Sequence, residues 1–404
     1  MKKRLLTSGN VFKRTDGRWC GVVWYMDEAE NRKRKSFSGT TKQAVSRKIT
    51  AYIAEFDEEL ESRDESKRLL KDSIQNWLEN YKFPSIEQTT YDRAECIARN
   101  QIYPAMGERL VGDVTASDVR NLLNSCMNKG LAYSTVKKVY VLLNEYFRTV
   151  YLEEMIPKNP MDTVEMIKKS NFLSAQGKEN LPEYETITVF TEDEIKRFKK
   201  EAFATYSNGI PKHQQSSAYI LILNTGMRAG EALALRNCDI DLEKRQIYIQ
   251  KSVKEIYNRN GVKATGGKST KIGKTKTPTS KRIIPLNDTA IDAIHRLREE
   301  YYFGEDAPLI CDENGDYTKP VNFRKRYYRI LKNAGIEQKG IHSLRHTFAT
   351  RLVNGIKQPD GTIKALSPKQ VADLLGHSTS QITEMYYVKK DTSRLNGITD
   401  GFDM

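Results

Sequence analysis

The chain has 404 residues, 38% hydrophobic and 29% charged, which fits two to four globular domains and argues against wholesale disorder. Its 66 Lys+Arg against 52 Asp+Glu leave a formal charge of +14, a balance that favours a polyanionic partner, nucleic acid first. No apolar run approaches the roughly 18–20 residues of a membrane helix, and the start Met1-Lys2-Lys3-Arg4-Leu5-Leu6 has too few apolar residues for a secretory signal.

The positive charge is clustered: residues 1–50 carry 13 Lys+Arg against 4 acids, and residues 263–282 carry 7 against none. Clustering of this kind points to a binding surface rather than to dispersed solubility charge. Cys20, Cys96, Cys126, Cys238 and Cys311 are scattered, odd in number and without CxxC spacing, so a reducing cytosol is the expected compartment.

Along the chain, alternation predicts three short strands at 10–13, 19–25 and 32–37, with a turn at Thr15-Asp16-Gly17. A helical period follows over 41–63. This is a small α+β domain over 1–63, its thin core assigned to Trp19, Trp24 and Phe37, and its strand Lys and Arg placed to meet DNA. Residues 67–168 read as an all-α domain, with helices at 69–81, 89–101, 116–128 and 134–151, Thr115 as a cap and Pro157 and Pro160 as stops. The polar stretch 169–187 has weak periodicity and is expected as a linker. From 188 to 404 the pattern is mixed α/β and mainly helical: helices at 192–205, 215–225, 288–301 and 321–334, strands at 246–253 and 282–285. Neither GxGxxG nor GxxxxGK[ST] occurs, so no nucleotide site is expected.

Three segments of this last region carry chemistry. In Ile341-His342-Ser343-Leu344-Arg345-His346, helical spacing puts His342, Arg345 and His346 on one face. Ser343 stands where a zinc protease needs Glu, so an anion suits this face better than a metal, because the Arg fork matches phosphate oxygens. Upstream, Gly226 ends one helix and Arg228 opens the next, with Glu231 one turn on to orient it; free amides at a helix start add to the pull on a phosphate. Downstream, Gly376 caps a helix, His377 follows, and Tyr386 and Tyr387 come nine and ten residues later. Tyr is a poor nucleophile at its ordinary pKa of about 10 and needs a base and nearby charge.

Together TGMRAGEAL, HSLRHTFAT, LLGHS and the terminal Tyr resemble, in order and spacing, the tyrosine recombinases or phage-type integrases, especially those of conjugative transposons. The resemblance covers about the last 215 residues well; it implies a core-site-binding domain over 67–168 and an arm-site-binding domain over 1–63. It implies that Arg228 and Arg345 clamp the scissile phosphate, that His342 exchanges the nucleophile's proton, and that His377 hydrogen-bonds the phosphate. Glu231 is the acidic partner of the first Arg, and His346 a support beside the second. The acid that protonates the departing 5′ oxygen is expected on a β-hairpin between the first Arg motif and HSLRH, at Lys276, with Lys274 second. The nucleophile is Tyr387, with Tyr386 the alternative. The reaction implied swaps one phosphoester for a 3′-phosphotyrosyl bond and needs no cofactor, metal or ATP. Double-stranded attachment sites, a homo-tetramer on a four-way junction, an excision accessory protein, and a place in the bacterial cytoplasm on the nucleoid complete the expectation. The tail after Tyr387 is expected to pack on a neighbouring protomer. Rival readings are a type IB topoisomerase-like enzyme, a non-catalytic DNA-binding regulator and a metal-dependent nuclease.

Overall fold

Alternation in the first forty residues builds an antiparallel sheet in the computed structural model, which describes residues 4–27, 31–62, 65–179, 181, 186–274, 281–357, 360 and 362–388. Strands β1 (Arg4–Leu5) and β2 (Asn10–Lys13) lie end to end along one edge of β3 (Trp19–Met26), and β4 (Arg32–Gly39) pairs along the other. The expected three strands are joined by β1, whose two residues are too few to carry a period-2 signal. Gly21 and Val23 face helix α1 (Lys42–Ser62), where Val45 and Ile49 close a small core, with Trp19 and Phe37 at its margin. Trp24 has the opposite parity. It lies on the outer face, with the guanidiniums of Arg32 and Arg34 4.6 and 5.9 Å from its ring centroid, and is not the core residue expected.

The helical segment that follows contains α2 (Leu70–Trp77), α3 (Gln88–Ile97), α4 (Tyr103–Met106), α5 (Ala116–Asn128) and α6 (Tyr133–Leu152). Helices α2 and α3 each run on into a wider π turn, Leu78–Lys82 and Ala98–Ile102. Thr115 caps α5 in a reciprocal box with Asp118. Tyr91, Tyr146, Phe147, Leu70 and Ile74 are fully buried among these helices. Within 169–187, residues Lys169–Ala175 form α7, whose buried Phe172 packs edge-on against Tyr133 at 5.3 Å. The chain divides into two compact units at 179/180.

The second unit is organised around a helix that is apolar on every side. Helix α9 (Ser217–Thr225), sequence SAYILILNT, has residues 217–223 buried and packs against α11 (Asp288–Glu300) and α13 (His342–Asn354). Helix α8 (Glu192–Ala202), capped by Thr191 and Glu194, brings Phe198 against Tyr219, and α12 (Pro320–Asn333) brings Phe323 within 4.5 Å of the same ring. A three-stranded antiparallel sheet, ordered β5 (Ile240–Asp241), β6 (Gln246–Ile249), β9 (Arg282–Pro285), flanks this core. Between β6 and β9 the chain forms a long hairpin of β7 (Lys251–Asn260) and β8 (Lys263–Lys274), with a bulge between Tyr257 and Arg259. The basic run that begins at Lys263 is thus ordered strand through Lys274, because Lys263, Ala264 and every residue from Lys268 to Lys274 have a ladder partner in β7. After α13, β10 (Ile356–Lys357) pairs with β11 (Ile363–Lys364), and α14 (Pro368–Leu375) and α15 (Ser380–Tyr387) follow.

Candidate active site

Local sequence places the first Arg. Gly226 closes α9 at φ 64°, and a Cβ there would sit 2.3 Å from the Phe348 ring, so only Gly lets the chain turn here. Arg228 then stands at the head of α10 (Ala229–Ala232), its backbone N–H donating to Glu231 Oε2 at 2.8 Å and its Nη1 to Oε1 at 2.8 Å. Helix α10 is a single turn. The free amides expected to add to the Arg228 charge therefore bring little dipole with them, and the guanidinium itself is about a third exposed.

Glu231 is 2% exposed and is held by a second guanidinium, Arg282, whose Nη2 lies 2.9 Å from Oε2. Burial pushes the Glu231 carboxyl up; the Arg282 and Arg228 charges outweigh it, and the net direction is down. Arg282 Nε also donates to the carbonyl of Leu374 at 2.7 Å, in the last turn of α14. Sequence reasoning passed over Arg282. It read the residue as the basic start of a strand, and its signal was an Arg one residue before the apolar run Ile283-Ile284-Pro285.

Arg345, 2% exposed, joins two helix ends. Its Nη1 donates to the carbonyl of Gly226 at 2.7 Å and its Nη2 to that of Leu375 at 2.8 Å. Carbonyls at helix C-termini carry partial negative charge, which offsets the burial of the cation. Burial, and then the Arg228 charge, bring its pKa down to about 9, still protonated at neutral pH.

The same end of α14 sets His377. Gly376, at φ 66°, donates to Asp373 O, and His377 N donates back to Ala372 O at 3.0 Å, a Schellman closure. His377 Nδ1 is 2.8 Å from Thr383 Oγ1, and its ring lies nearly parallel to that of Tyr387 at 6.3 Å. Burial, then Arg345 and Arg228, push its pKa down to about 4, so the imidazole is neutral. His342, on the first turn of α13, is shifted in the same direction by burial and the same two Arg.

Tyr387 is 3% exposed in a small apolar cluster with Ala349, Val353, Val371 and Leu375. Its hydroxyl is 2.9 Å from His346 Nδ1. Burial raises the phenol's pKa, and Arg345 and Arg228 pull against that rise. The Tyr386 ring lies 6.4 Å away. Arg228, His342, Arg345, His346, His377, Ile382, Tyr386 and Tyr387 together line one cleft of about 380 Å³.

The structure thus brings together both Arg, all three His and both Tyr singled out in the sequence, with Glu231 behind Arg228. Lys276 lies outside the described residues, as do the side chain of Lys274 and the tail 389–404; the Lys274 backbone ends β8 opposite Lys251. Among the described residues no group of three His, Cys, Asp or Glu is placed to hold a metal ion, and no helix is long and apolar enough to cross a membrane.

A sequence model described as the phage integrase family matches residues 188–394, more than half the chain. The chain belongs to the phage integrase family of tyrosine recombinases. A second model, the phage integrase N-terminal SAM-like domain, matches residues 69–127. A XerC-like tyrosine recombinase of Caldanaerobacter subterraneus subsp. tengcongensis is 26% identical over 389 residues, 91% of this chain and 92% of that protein. The transposase of transposon Tn916 from Enterococcus faecalis is 23% identical, over 70% of this chain and 65% of that protein. Two solved structures share the fold. The Tn1549 transposon integrase in complex with a circular intermediate DNA aligns at TM-score 0.63 and 20% identity, covering 83% of this chain and 99% of that one. A lambda integrase tetramer bound to a Holliday junction aligns at TM-score 0.57 and 17% identity, covering 95% and 98%. In this recombinase, as its family membership requires, a tyrosine is the group that breaks and rejoins DNA.

Proposed function

We propose that this recombinase integrates and excises a mobile element by cutting double-stranded attachment sites through a 3′-phosphotyrosyl intermediate, with Tyr387 as nucleophile. The observation that carries the reading is the convergence of Arg228, Arg345 and His377 on the cleft that holds the buried Tyr387 hydroxyl. A phosphodiester repels nucleophiles. Two guanidiniums on its non-bridging oxygens offset that charge and favour the more negative pentavalent transition state. Neutral His377 adds a hydrogen bond, His342 lines the same wall, and Glu231 with Arg282 fixes Arg228. Lys276, or Lys274 beside it, protonates the departing 5′ oxygen. Exchange of one ester for another keeps the bond energy, so the reaction needs no ATP.

In this reading, residues 1–63 bind arm sites and 67–168 bind core sites. The basic hairpin supports backbone tracking. Four copies act together on a four-way junction, as the tetrameric state of the lambda relative suggests. An excision accessory protein sets direction, and the protein works in the bacterial cytoplasm on the nucleoid. Trapping the chain on a nicked target and sequencing the DNA-linked peptide by mass spectrometry tests the assignment: the adduct maps to Tyr387, and mapping to Tyr386 overturns it. Two-site substrates yield recombinants; relaxed circles alone would favour the topoisomerase-like reading.

A further inference from the structure

The 2.9 Å contact between the Tyr387 hydroxyl and His346 Nδ1 has no place among the roles just given. We propose that His346 is the proton acceptor of the nucleophile: its Nδ1 holds the Tyr387 Oη–H at rest and takes that proton as Oη attacks phosphorus. This rests on the reading of Tyr387 above, and it moves to His346 the step that the resemblance implies for His342. The balance is simple. The Oη–P bond forms and the P–O5′ bond breaks. The phenol proton passes to His346 Nδ1, and the departing 5′ oxygen takes a proton from the cationic acid, Lys276 in our reading. Rejoining runs the same transfers in reverse.

Four observations support it. The contact is direct and of hydrogen-bond length, so the acceptor needs no movement to act. His346 sits one turn along α13 from His342, its ring 5.5 Å from that neighbour and 5.7 Å from the Tyr387 ring, so His346 stands in contact with the phenol. His377 Nδ1 is already engaged by Thr383. Burial, then His342 and Arg345, push the His346 pKa down to about 4, so the ring is neutral with one nitrogen lone pair open, and a phosphodiester anion bound beside Arg345 opposes that lowering and strengthens the ring as a base. For Nδ1 to be that nitrogen the proton must sit on Nε2.

Two measurements test the assignment. The chain has only five His, so 15N-histidine labelling of the full-length protein resolves each ring. The expected result is an Nε2–H tautomer at His346 whose Nδ1 signal moves in Tyr387→Phe while that of His295, on α11, stays in place. An Nδ1–H tautomer overturns the proposal, because His346 would then donate to the phenol. The second measurement is adduct formation on a nicked duplex spanning the joined ends of the element, made with either oxygen or sulfur at the 5′ bridging position. His346→Asn keeps an acceptor atom near the Nδ1 position but cannot take the proton, and it slows adduct formation about 100-fold on both substrates. Sulfur departs without protonation, so it relieves loss of the acid and not loss of the base. A wild-type rate for His346→Asn, or a defect that sulfur rescues, overturns the proposal alone. An adduct on Tyr386 in the wild-type chain overturns the underlying reading as well.

Discussion

A guanidinium 2% exposed, as at Arg345, is tolerable only if its donors are filled, and here two helix-end carbonyls fill them. The division of labour with Arg228 follows. Arg345 is fixed by the fold, whereas the Arg228 fork remains about a third exposed, open to the phosphate contact proposed for it. Arg228→Lys should therefore leave DNA affinity near wild type, measured by filter binding, and slow covalent cleavage by orders of magnitude, since an ammonium cannot reproduce the planar bidentate grip. The imidazoles make a separate prediction. His346 and His377 are pushed from the ordinary 6.5 down to about 4, so the folded state binds fewer protons than the unfolded chain in that window. Stability of the DNA-free protein should be at its plateau above pH 6.5 and fall as pH drops from 6.5 towards 4. Melting curves of wild type and His346→Asn check this; the variant should lose less over that window. At this scale both Arg and both Tyr were legible in the sequence because each sits in a short motif. Arg282 was not, because its partner Glu231 lies 51 residues away and only folding shows that they meet.

At the scale of elements, the site is built from helix ends. The C-termini of α9 and α14 supply the carbonyls that Arg345 binds, and the α14 closure aims His377. Gly226→Ala puts a Cβ into a left-handed position and against Phe348, so we expect a loss of about 1–3 kcal/mol, read from urea unfolding, together with slower cleavage as the carbonyl facing Arg345 shifts. Capped helices were the legible elements: the boxes at Thr115/Asp118 and Thr191/Glu194 begin α5 and α8 where the sequence placed them. Elements without local signals were not. Helix α7 depends on Phe172 finding Tyr133, and β8 depends on its ladder with β7, so that the hairpin was expected from the family resemblance and not from a composition rich in Lys, Gly and Thr.

For the molecule as a whole, a charge of +14 makes binding to DNA steeply salt-dependent. Where a Lys of the hairpin contacts a phosphate, its loss lowers the slope of log K against log salt by roughly 1. Lys263→Ala and Lys271→Ala should each do so in titrations at several salt concentrations, with little change in which sites are cut. An unchanged slope in both would remove the hairpin from the DNA interface. The sequence by itself determined the family, the reaction type and most of the residues that line the cleft, because these are carried by motifs of fewer than ten residues. Only tertiary structure decided which side chains meet. It set Tyr387, not Tyr386, against the His346 ring nitrogen, paired Arg282 with Glu231, and turned Trp24 outward. The reason is physical: a motif records which side chains are present, but hydrogen bonds and burial depend on distances between segments that the chain brings together only when its core closes.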